Sequence, residues 1–62
     1  MITFKLIITY ILLGAPNELI IPDFANKTDC QIQLVKSAAD LRSQGATVES
    51  AICHRVVLDT GK

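Results

Sequence analysis

A chain of 62 residues has room for one domain, and a domain of that size buries only about 60% of the surface its unfolded form exposes, so its core needs a staple or a partner. Half the residues are hydrophobic, yet there is no Trp, one Tyr and two Phe; the core must be aliphatic, in a composition typical of globular chains. Six basic residues (Lys5, Lys27, Lys36, Arg42, Arg55, Lys62) are scattered among six acidic ones (Glu18, Asp23, Asp29, Asp40, Glu49, Asp59), which excludes binding to nucleic acid through clustered cations that release counterions and removes one barrier to self-association.

Residues 6–13 form an almost unbroken apolar run behind Lys5 and ahead of Gly14-Ala15-Pro16, the outline of a secretory signal. A cut after Ala15 would put bulky Leu13 where a small residue is wanted, with Pro16 directly after it. Spanning a bilayer takes about 20 apolar residues, more than residues 1–15 supply. As a strand over 3–13, the segment sets Phe4, Leu6, Ile8, Tyr10 and Leu12 on one face and Lys5, Ile7, Thr9, Ile11 and Leu13 on the other. Its β-branched and aromatic content favours the strand over the export signal.

Gly14-Ala15-Pro16-Asn17 has turn-forming residues, and the chain is expected to reverse there into a second, antiparallel strand over 18–24. Pro22 cannot donate to a ladder, so that strand is an edge or ends in a bulge. Thr28-Asp29-Cys30-Gln31 matches a capping box. With Asp29 in the first turn, Arg42 in the last and Gly45 as a left-handed stop, a helix is predicted over 29–44. Its packing stripe is Cys30, Leu34, Ala38 and Leu41 with Val35 on the flank, and Gln33, Lys36, Ser37, Asp40, Ser43 and Gln44 lie opposite. Ile32 and Ala39 fall outside the stripe, which points to a second contact.

A third strand is expected over 47–58, with Val48, Ile52, His54, Val56 and Leu58 on one side and Ala51, Cys53 and Val57 on the other, before a frayed tail over 59–62. The fold class is therefore α+β, ββαβ, a three-stranded antiparallel-type sheet with one helix on one face. From Cys30 down the helix to Gly45 is about 22 Å, and back along the strand to Cys53 is roughly 20 Å. The two sulfurs thus return to one height, as a Cys30–Cys53 disulfide requires; in a reducing compartment the same pair would be two small buried hydrophobes.

Candidate chemistries find little support. Cys53-His54 has the residue types of a nucleophile and its base, but adjacent strand residues point to opposite faces. Cys30, Cys53 and His54 lack the paired spacing of a zinc site, and the three isolated glycines make no phosphate-cradling loop. Asp23, Asp29 and Asp40 show no spacing that would join them in one cleft. No enzyme activity, metal or cofactor is expected.

With one helix on one face of the sheet, apolar Ile7, Ile11 and Leu13 on the other face need a cover. Together with Ile32 and Ala39 they are the candidate interface, for a second copy in a two-fold dimer or for a target protein adding a strand. The apolar first strand, the acidic-aliphatic strand Glu18-Leu19-Ile20-Ile21-Pro22-Asp23-Phe24, the helix bearing Cys30 and the strand bearing Cys53 together resemble short uncharacterised proteins of bacteriophages and enterobacterial prophages. The resemblance spans most of residues 4–57. It implies a small accessory protein, an inhibitor or adaptor that binds a bacterial protein stoichiometrically. The chain itself is expected to be non-enzymatic and cytoplasmic, and the uncovered apolar face makes a homodimer the expected form. Two further expectations are an oligomeric sponge for a small metabolite or nucleotide, and a disulfide-bonded envelope protein exported to the periplasm.

Overall fold

The computed structural model describes residues 1–57, which form β1 (Ile2–Leu12), β2 (Ala15–Phe24), α1 (Lys27–Ser43) and β3 (Thr47–Val57). Leu58 and the tail expected over 59–62 lie outside the described residues. The order is ββαβ and the class α+β, as the sequence predicts. One sheet runs β2-β1-β3 with both pairings antiparallel. β2 and β3 are therefore parallel to each other across β1, and α1 is the crossover between them. β1 is the central strand, paired on both edges; it is free of proline and apolar on both faces, as that position requires.

The hairpin is tighter than the sequence suggests. Leu12 pairs with Ala15, so the reversal is the two residues Leu13 and Gly14 rather than 14–17, and Ala15, Pro16 and Asn17 belong to β2. Both turn residues have positive φ, 54° and 77°, the signature of a type I′ turn, whose twist matches the flanking strands. Leucine is poorly suited to that conformation, because its Cβ crowds the following carbonyl, and its side chain is 96% exposed with nothing gained in return. Leu13→Asn, which restores the Asn-Gly pair favoured in such turns, is expected to raise stability by roughly 1 kcal/mol. A urea midpoint that stays put or falls would contradict this turn assignment.

β2 is an edge strand, and it also bulges. Leu6 pairs with Ile21 but Phe4 with Phe24, so Pro22 and Asp23 are accommodated by a register shift. Asp23 takes φ 70° there, a conformation that aspartate tolerates better than most residues. A second shift lies in β3, where Thr9 pairs with Ser50 but Tyr10 with Val48. The extra residue, Glu49, turns Val48 to the helix side, where it packs on the core, and not to the Ile52 side as strict alternation predicts.

α1 begins two residues before the predicted start. Asn26, not Thr28, is the N-cap: its Oδ1 accepts from the Asp29 amide at 2.8 Å, and its Nδ2 donates to Asp29 Oδ2 at 3.3 Å. Asparagine caps at least as well as threonine, so the upstream residue takes the role and Thr28 becomes part of the first turn. Asn26→Ala should cost about 1 kcal/mol while Thr28→Ala stays within about 0.5 kcal/mol; equal losses in thermal melts would rule out this cap. At the other end Gly45 has φ 92°. Its amide donates to the Arg42 carbonyl at 3.0 Å and that of Ala46 to the Leu41 carbonyl at 2.9 Å, the two bonds of a Schellman motif. Leu41 and Ala46 are both buried, which supplies the accompanying apolar contact.

The core lies between α1 and one face of the sheet. Leu6, Ile8, Cys30, Leu41 and Ala46 form its centre, with Phe4, Tyr10, Leu12, Leu19, Ile21, Phe24, Leu34, Val48, Ala51 and Cys53 packed around them. Among the described residues, Leu6, Ile8 and Cys30 are the largest fully buried side chains. The predicted stripe is thus the packing stripe, with two corrections on its flanks. Val35 is 66% exposed, whereas Gln33 and Ser37, expected on the polar face, are half-buried and joined by a 2.9 Å bond from Gln33 Nε2 to Ser37 Oγ. Counted around the helix, Val35 lies more than a right angle from the line of Cys30 and Leu41, too far to reach the sheet.

Candidate functional site: the open face of the sheet

Cys53 pairs with Leu6 and His54 with Lys5, so the cysteine faces the helix and the histidine the opposite side. The helix brings Cys30 to disulfide distance of Cys53, with Cα atoms 6.1 Å apart across a sequence separation of 23. This pairing agrees with the matched lengths of helix and returning strand. Cys30 is 0% exposed and belongs to the core, while Cys53 is half-buried against it, so a bridge would tie the centre of the core to its margin on β3. Among the described residues, no three His, Cys, Asp or Glu side chains gather where they could hold a metal ion.

Among the described residues, nothing covers the sheet face turned away from α1. β1 places Ile7 and Ile11 there, and the ladders set Ile20 and Ile52 on either side of Ile7. A row Ile20, Ile7, Ile52 therefore crosses all three strands. Ile20 is 49% and Ile52 51% exposed, while Ile7 is half-buried between them. One step along the strands lie Lys5 and His54, and one step the other way Glu18, Thr9 and Ser50. The result is an apolar stripe with a basic margin on one side and an acid on the other.

The predicted interface residues do not all meet. Ile7 and Ile11 share the open face. Leu13 does not join them, because it is a turn residue at the hairpin tip. Ile32, 50% exposed, and Ala39 lie on the outer side of α1 together with Val35. There Thr28, Gln31, Ile32, Val35 and Lys36 line a shallow depression. One helix supplies every wall of it, so no second element closes over a ligand or converges polar groups on one.

Sequence reasoning missed Ile20 as a member of the open face. Its alternation with Leu19 and Ile21 signals a strand, but only the register with β1 shows which side each residue takes. No helix of the described residues is long and apolar enough to cross a membrane. Comparison with protein-family models gives no match, nor does comparison with curated proteins or with solved structures.

Proposed function

We propose that this chain is a non-catalytic binding protein that acts by stoichiometric contact, and that the open face of the sheet is its contact surface. The observation that carries the reading is the row Ile20, Ile7 and Ile52, an apolar stripe across the whole sheet on the side the helix leaves bare. Exposed contiguous apolar surface costs free energy in water and is characteristic of sites that bind other macromolecules. The polar margins, Lys5 and His54 on one side and Glu18 on the other, fit the rim of such a site, which fixes orientation while the apolar centre supplies affinity.

The resemblance to small phage and prophage proteins supplies the class of partner: a bacterial protein that the chain inhibits or recruits. The chain itself acts as a homodimer. Tagged protein mixed with bacterial lysate should retain one protein in stoichiometric amount. Ile20→Lys and Ile7→Lys, each placing a charge in the stripe, should lose that protein while Leu13→Asn at the hairpin tip retains it. No stoichiometric protein, or one held equally by all variants, would defeat the proposal.

A further inference from the structure

We infer that two copies of this chain join antiparallel along the outer edge of β3, about a two-fold axis at Ile52, to make one six-stranded sheet. The two edges of the sheet are not equivalent. β2 carries Pro16 and Pro22, which have no N–H to offer, and a bulge with Asp23 at φ 70°. These are the devices that close an edge to further strands. β3 contains no proline. Its single register shift lies near its start, and from Ser50 to Val57 it pairs regularly with β1. Among the described residues no strand pairs with its other side, which therefore presents a row of backbone donors and acceptors.

The side chains select the register. In a two-fold antiparallel pair, opposed residues share a face and the axis passes through one residue position. With that position at Ile52, Glu49 of each copy faces the partner's Arg55, and Ser50 faces the partner's His54. Both Glu49 and Arg55 are exposed, so two opposite-charge pairs close the ends of the paired span. Centring on Cys53 would set Arg55 against Ala51, and centring on Ala51 would set Glu49 against Cys53; neither joins opposite charges. The bulge at Glu49 falls at the end of the span, leaving Ser50–His54 as the regular ladder.

The same axis brings Ile52 beside its own copy on the open face. The row Ile20, Ile7, Ile52 then continues into the partner's three isoleucines, doubling the stripe. The inference deepens the proposed function, resting on it for the role of that stripe but not for the edge.

Light scattering on the full chain tests it. The expected particle has twice the chain's 6.8 kDa mass. Arg55→Glu or Glu49→Arg makes both end pairs like-charged and should raise the dimer Kd at least about tenfold, whereas the double swap E49R/R55E should restore wild-type pairing. Because both positions are exposed, the fold of each chain is expected to survive these changes. Ile20→Lys, on the far strand, should stay dimeric even where it loses a lysate partner, so failure of the edge and failure of the face are distinguishable. A wild-type monomer at millimolar concentration, or a dimer indifferent to both single charge variants, overturns the inference. So does a dimer abolished by Ile20→Lys, which would assign self-association to the sheet face.

Discussion

Reduction of the air-oxidised protein is expected to lower its stability by about 3 kcal/mol and its melting midpoint by roughly 10–25 °C. The bridge would close a loop between positions 23 apart in sequence, and opening it returns that loop's conformational freedom to the unfolded chain. The loss is large against the whole stability of a domain this size, on the order of 3–9 kcal/mol. The reduced protein keeps both sulfurs in place, so its loss reports the crosslink alone. The double variant Cys30→Ala/Cys53→Ala should melt lower still, because Cys30 is 0% exposed at the core and its removal leaves a void. Calorimetry with and without reductant measures the first effect. A shift of only a few degrees would mean that the pair contributes as packed thiols and not as a bridge.

Much of this architecture is legible in the sequence because several local signals agree. Pro22 marks an edge and a bulge, and both occur. Gly45 marks the helix stop, and the helix and third strand have the lengths that return Cys53 to Cys30. What escaped the reading was decided by single-residue offsets. A strand has a side-chain period of two, so one extra residue exchanges its faces; Glu49 does this to Val48. The hairpin tip was displaced because Leu13, a poor residue for positive φ, occupies a turn position where composition gives no warning. The cap moved because Asn26 and Thr28 both suit the role, and only the bond to the Asp29 amide distinguishes them.

The open face was half visible for a related reason. Ile7 and Ile11 follow from alternation within β1, whose helix-facing set begins with Phe4. Ile20 could not be assigned, because β2 bulges between Ile21 and Phe24, and counting back from Phe24 therefore gives the wrong parity. Val35 is ambiguous in the sequence for want of a partner: a helix carrying Ile32, Val35 and Ala39 outward is apolar on both sides, and periodicity alone does not say which side meets the sheet.

Leu6→Ala is expected to cost about 3–4 kcal/mol, whereas Ile20→Ala should cost less than about 1 kcal/mol. Leu6 is 0% exposed, flanked by Ile21 on one strand and Cys53 on the other, at the centre of the only core the described residues possess. Truncation there loses the transfer free energy of the side chain and leaves a cavity that three strands and a helix cannot readily collapse. Ile20 is 49% exposed on the side without a helix, so its truncation removes little packing within one chain. Urea unfolding of the two variants separates the faces: equal losses would mean that the sheet has no preferred core side. Protein concentration adds a further readout. If folding and pairing are linked through β3, a chain left near zero stability by Leu6→Ala draws on the dimer contact to fold, and its midpoint rises with concentration. In Leu6→Ala combined with Arg55→Glu that rise should disappear, because the pairing that supplied it has been weakened.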